Sequence, residues 1–139
     1  AMGMGILLSE GIGDTIRVSL SEDPREEIKV GKNILRSLGL RKGGVEITSC
    51  PTCARTHIDV INLVEQIESN TETIKNPIHI AVMGCAVNGP GESKKADLGI
   101  VGGPAETNLL YKDGKIVGKI PQDKIVETVL KEVEEINKQ

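Results

Sequence analysis

Apolar residues recur along this chain at two spacings, and each spacing predicts a kind of element. In Thr15-Ile16-Arg17-Val18-Ser19-Leu20, Ile16, Val18 and Leu20 alternate with Thr15, Arg17 and Ser19, which predicts a strand over 15–20 with one apolar and one polar face. Asp23-Pro24-Arg25-Glu26 reads as a helix start, with Asp as the cap, Pro at the first helical position and Glu three residues after the cap. The helix is expected to run to Leu38 with Ile28, Ile34, Leu35 and Leu38 on its buried face, and Gly39 stops it. Ahead of both, Ile6-Leu7-Leu8 and Gly11-Ile12-Gly13 look like the interior of a strand–helix unit, and Ala1-Met2-Gly3 like an expression scar.

Beyond Arg41-Lys42-Gly43-Gly44, which reads as a linker, the pattern repeats. Val45-Glu46-Ile47-Thr48 is a short strand. Thr56-x-x-Asp59 opens a helix in which Ile58, Ile61, Val64 and Ile67 recur at helical spacing to about Glu68. Ile78 to Met83 is apolar almost without interruption, as in a strand buried on both faces, and Asp97 to Val101 is a second such strand, ended by Gly102-Gly103-Pro104. Asn108 to Lys112 and Lys115 to Ile120 flank Asp113-Gly114, a strong two-residue hairpin signal, and Pro121 breaks the second arm. Asp123 is expected to cap a last helix with Ile125, Val126, Val129, Leu130, Val133 and Ile136 in one apolar stripe. Strands and helices alternate, which makes the fold class α/β.

Composition narrows the class further. The 139 residues are 38% hydrophobic but 1% aromatic, so the core must be aliphatic, with Tyr111 the sole aromatic side chain. A net charge of -3, a pI near 5.5 and the lack of any basic run argue against nucleic acid or an anionic membrane as partner. No apolar run reaches transmembrane length and no signal-peptide pattern opens the sequence, so a cytoplasmic location is expected. Three cysteines suit a reducing compartment better than a disulfide framework.

Those cysteines are the candidate chemistry. Cys50-Pro51-Thr52-Cys53 and Met83-Gly84-Cys85 each follow a predicted strand, where α/β sheets place their sites. A Cys-x-x-Cys pair serves a metal centre or a redox disulfide, and the third cysteine favours a cluster. Three thiolates leave one iron of a cubane wanting a ligand. Glu92 is the candidate, returned toward Cys85 by the turn-forming run Asn88-Gly89-Pro90-Gly91. The alternative is a structural zinc held by Cys50, Cys53, Cys85 and either His57 or Glu92. The helix after Cys53 is expected to turn its N-terminus toward the sulfurs and lower the cysteine pKa values. Arg55 reads equally well as a nearby cation or a surface side chain, and His79 as a cross-strand histidine within its strand.

Cys-Pro-Thr-Cys at 50–53, Met-Gly-Cys-Ala-Val-Asn-Gly-Pro-Gly-Glu at 83–92 and Gly-Ile-Gly-Asp-Thr-Ile-Arg-Val-Ser-Leu at 11–20 together resemble the C-terminal part of the 4-hydroxy-3-methylbut-2-enyl diphosphate synthase family. The resemblance runs from about Gly5 onward, departing at Ala54, where the family usually has Gly. It implies an iron-sulfur oxidoreductase of the non-mevalonate isoprenoid pathway, acting on 2-C-methyl-D-erythritol 2,4-cyclodiphosphate, with ferredoxin or flavodoxin as electron donor and a homodimer in the full-length protein. Cys50, Cys53, Cys85 and Glu92 would hold a [4Fe-4S] cluster, Glu92 being the catalytic ligand that substrate displaces. Arg17 and Ser19 would bind the diphosphate, with Asn88 beside the cluster. Residues 1–4 would be a scar, 5–40 the last strand and helix of a TIM-type barrel, and 45–139 a cluster domain similar to those of sulfite and nitrite reductases. A piece of this kind is expected to be inactive alone.

Overall fold

The computed structural model describes residues 1–138, apart from the side chain of Glu106; the last residue of the expected cluster domain, Gln139, lies outside the described residues. The chain divides into two compact units, Ala1–Lys42 and a second beginning at Gly43.

The first unit holds α1 (Met2–Ser9) and α2 (Pro24–Ser37). Asp23 caps α2 as expected, its carboxylate accepting the Arg25 N–H at 2.9 Å, and Pro24 opens the first turn. Residues 2–9 form a helix, and one expectation fails: residues 15–20 are extended without being a strand. A strand needs a neighbour to take its N–H and C=O groups, whereas a helix satisfies them within itself. The alternation at 15–20 still operates, since Ile16 and Val18 are half-buried and Thr15, Arg17 and Ser19 exposed. Ile16 and Val18 settle over Gly31, whose missing side chain lets them approach α2 closely. Ile28, one turn earlier, is left 59% exposed, contrary to the face expected for it.

In the second unit, five strands form one sheet in sequential order among the described residues: β1 (Val45–Ser49), β2 (Ile78–Met83), β3 (Leu98–Val101), β4 (Asn108–Lys112) and β5 (Lys115–Ile120). The first three are parallel and the last two join antiparallel. The β4–β5 turn is Asp113-Gly114, with both residues at positive φ (49° and 74°), as the sequence signal requires.

Side chains of β2 divide by alternation. Ile78, Ile80 and Val82 face a core shared with Leu98, Ile100, and the helices α3 (Val60–Thr71) and α5 (Ile125–Asn137), which contribute Leu63, Ile67, Val129 and Val133. Ala81 and Met83 face a smaller cluster with Ala96, Val101 and Tyr111 on the other side, where the short α4 (Gly89–Ser93) lies against the sheet. Burial on both faces explains why β2 reads as an unbroken apolar run.

Three local readings shift in this unit. The α3 helix begins at Val60, capped by Asp59, so its buried stripe is Val60, Leu63, Ile67 and Thr71, and Ile61 is 59% exposed. Residues 56–59 are not helical, which puts Ile58 out of phase with that stripe although it is buried. The run at Asn88–Gly91 does not reverse the chain as a simple turn: Gly89 N–H bonds Cys85 C=O at 3.2 Å and Glu92 N–H bonds Asn88 C=O at 3.1 Å, winding it into α4. Asp123 sits in a tight 3-10 turn, Gln122–Lys124, and makes no cap bond to α5. No helix among the described residues is long and apolar enough to cross a membrane.

Candidate cysteine cluster site

Parallel pairing places the ends of β1, β2 and β3 together, and the loops that follow them form the site. Cys50 is the first residue beyond β1; its N–H continues the ladder to Val82 C=O at 3.3 Å. Cys85 lies two residues beyond β2, and Gly102, after β3, donates its N–H to Met83 C=O at 2.8 Å. All three cysteines are free thiols, Cys85 buried, Cys50 half-buried and Cys53 exposed.

Gly84 joins the loops. Its N–H donates to Cys50 Sγ at 3.1 Å, while its carbonyl accepts the His57 N–H at 2.8 Å. A side chain at Gly84 has no room, because a Cβ there would lie 2.8 Å from Oγ1 and 3.0 Å from Cγ2 of Thr56. Gly102 closes from the other side: its own Cβ would meet the Gly84 carbonyl oxygen at 2.5 Å. The second cysteine is held from the same direction. Thr56 Oγ1 accepts the Cys53 N–H at 3.4 Å and lies 3.9 Å from its Sγ.

These donors set the electrostatics. The Arg55 backbone N–H, first, and the Thr56 hydroxyl, second, hold the Cys53 thiol below its ordinary pKa, with the Arg55 charge adding less. The expected source, the helix N-terminus, is otherwise engaged, for Asp59 accepts the Asn62 N–H at 3.1 Å and supplies its own negative charge there. Backbone N–H groups of the loops stabilise thiolate instead.

The remaining candidates are placed as follows. Glu92, half-exposed on α4, contacts Lys95 Nζ at 3.7 Å. Asn88 is exposed at the head of α4. Arg17 and Ser19 belong to the first unit, both exposed. His57 is exposed in a loop. His79 is a cross-strand residue, its Nε2 2.8 Å from Thr48 Oγ1 and its backbone N–H bonded to Asp97 Oδ2 at 2.7 Å. Among the described residues, no three His, Cys, Asp or Glu side chains gather closely enough to hold one metal ion. The thiols nonetheless suit a sulfur-rich group: they are unpaired with one another, lie on adjacent loops, and two receive N–H donors of the kind that stabilise cluster thiolates. Thr56 and Gly84, which touch these sulfurs or their backbone, are not candidate site residues from the sequence alone. The signal available was their position, three residues after one cysteine and immediately before another.

Comparison with known proteins identifies the family. Residues 46–135 match the family model described as GcpE protein C-terminal domain, and residues 1–32 match the GcpE TIM-barrel domain. A protein of Ruminiclostridium cellulolyticum named 4-hydroxy-3-methylbut-2-en-1-yl diphosphate synthase (flavodoxin) is 58% identical over 136 residues, covering 98% of this chain and 38% of the relative. Proteins of the same name from Caldanaerobacter subterraneus subsp. tengcongensis and Clostridium perfringens are 55% and 53% identical, covering 100% and 98% of this chain and 39% of each relative. The chain thus spans about two-fifths of the length of these curated relatives. With residues 46–135 of its cysteine-bearing unit matched by the C-terminal domain model and residues 1–32 of its first unit by the TIM-barrel domain model, the chain belongs to the GcpE family.

Proposed function

We propose that the chain is the cluster-bearing C-terminal part of an oxidoreductase that reductively opens and dehydrates 2-C-methyl-D-erythritol 2,4-cyclodiphosphate to 4-hydroxy-3-methylbut-2-enyl diphosphate. Two electrons and two protons enter and one water leaves. The observation that carries this reading is the Gly84 N–H bond to Cys50 Sγ, which ties the two cysteine segments together at the ends of adjacent parallel strands.

Cys50, Cys53 and Cys85 would hold three irons of a [4Fe-4S] cluster and Glu92 the fourth. When bound, such a cluster supplies single electrons and an iron with an exchangeable oxygen ligand. Glu92 suits the exchangeable position because its pair with Lys95 is long and solvent-exposed, so little holds the carboxylate where it is. Gly84 and Arg55 direct backbone N–H groups at sulfur and offset the negative charge of the thiolates. Asn88, exposed at the head of α4, is available to substrate, and the alternating pattern at 15–20 presents Arg17 and Ser19 to solvent for the diphosphate. The name of the relatives supports flavodoxin as electron donor, with ferredoxin as the other candidate.

In this reading residues 5–40 complete a TIM-type barrel and 45–139 form a cluster domain similar to those of sulfite and nitrite reductases. The full-length protein works as a cytoplasmic homodimer, and this chain alone does not turn over substrate. Anaerobic reconstitution with iron and sulfide tests the reading: a brown protein with about four irons per chain and broad absorption near 400 nm is expected. Glu92→Ala should keep its colour but change the Mössbauer signature of one iron. A colourless protein that takes up one zinc and no sulfide overturns the proposal.

A further inference from the structure

Thr56 and Gly84 fit one another as a bolt fits a socket. Thr56 is β-branched and stiff, and it fills the space that a side chain on Gly84 would need. Its Oγ1 accepts the Cys53 N–H at 3.4 Å and lies 3.9 Å from Cys53 Sγ. The next residue, His57, binds the Gly84 carbonyl through its N–H at 2.8 Å. On its other side Gly84 donates to Cys50 Sγ at 3.1 Å. One glycine is therefore clasped by both ends of the Cys50–His57 loop, and Cys85 follows it directly in the chain.

We infer that Thr56 is a positioning residue, latching the Cys50–Cys53 loop onto Gly84 so that the three thiols are held in place before any iron arrives. A loop of Cys-Pro-Thr-Cys with its second cysteine exposed has few contacts of its own, and the latch supplies the missing restraint. The hydroxyl holds the Cys53 amide, and Oγ1 together with Cγ2 fills the space over Gly84.

The latch itself is tested without metal, and its effect on the cluster rests on the function proposed above. In metal-free protein, amide hydrogen exchange at Cys53, read by NMR, should rise roughly fivefold in Thr56→Val, the change expected from loss of about one hydrogen bond. Thr56→Ser should restore it. Gly84→Ala, which pushes Thr56 and its hydroxyl away without removing either, should raise exchange at both Cys53 and His57. In reconstituted protein, Thr56→Val should lose iron to a chelator several-fold faster than wild type and shift the cluster's reduction potential, and Thr56→Ser should do neither. Wild-type exchange rates at Cys53 in Thr56→Val, with the fold intact by circular dichroism, overturn the latch. A latch that passes in metal-free protein while wild type takes up no iron and sulfide would sink the cluster reading and leave the latch standing.

Discussion

Lys112 on β4 and Glu132 on α5 meet at 2.6 Å, joining the antiparallel part of the sheet to the helix that covers it, with Glu135 at 3.8 Å as a second carboxylate. Both members of the close pair are partly shielded, at 31% and 20% exposure. The Glu132 hydrogen bond, with the attraction of the surrounding carboxylates, raises the Lys112 pKa above its ordinary value. A group whose folded pKa is raised contributes stability that is complete below its unfolded pKa, about 10.4, and is lost as pH climbs through the folded value. The difference in urea midpoint between wild type and Glu132→Gln should therefore be constant from pH 7 to 9 and shrink above pH 10. A difference that persists undiminished at pH 12 would show that the ion pair is not its source.

Gly89 lies against Val101 so closely that a Cβ would overlap both γ carbons of the valine. The contact seats α4 on the smaller core. Gly89→Ala should cost about 1–3 kcal/mol by overpacking. Adding Val101→Ala, which removes the opposing methyls, should recover part of that loss in urea denaturation. If the double variant is simply as unstable as the two single changes added together, the steric account is wrong.

Asn108 is fully buried and bridges two backbone groups, accepting the Gly103 N–H at 3.2 Å and donating to Ile120 C=O at 3.3 Å. It thereby ties the loop after β3 to the end of β5. Asn108→Ala leaves both groups without that partner, at a cost on the order of 1–3 kcal/mol for each group left unpaired. The melting temperature should fall accordingly. Hydrogen exchange should rise first at Gly103, and uniform loosening across the sheet would argue against a local clasp.

Cys53 combines exposure with a lowered pKa, whereas Cys85 is buried. In metal-free protein, iodoacetamide should modify Cys53 first, with a pH midpoint below the ordinary thiol value of about 8.5. Peptide mass spectrometry across pH 6–10 measures it. A midpoint at or above that value would remove the role given to the Arg55 N–H.

The sequence reading succeeded where the physics is local. The Asp23-Pro24 start of α2 and the Asp113-Gly114 hairpin depend on backbone conformations that neighbouring residues dictate, and both are found. The double-sided burial of β2 was legible because six nearly apolar residues, rich in β-branched side chains and bounded by Pro77 and Gly84, are too short for a buried helix and suit a central strand. Readings that depended on a distant partner went differently. The strand expected at 15–20 has no neighbour to pair with among the described residues, and Ile28 and Ile61 face outward because the position of a helix start or of an adjoining segment decides which stripe is covered.

For the site, the chain alone determined the chemistry on offer: three thiols after two strands, and a carboxylate seven residues beyond the last of them. Only tertiary structure decided that Gly84 and Thr56 interlock, that Asp59 caps α3, and that the Arg55 N–H and Thr56 hydroxyl rather than a helix end lower the Cys53 pKa. Spacing along a chain fixes which groups can be near one another. Which of them share a hydrogen bond depends on strand register and on gaps of a few ångströms between loops far apart in sequence, and those are set by packing.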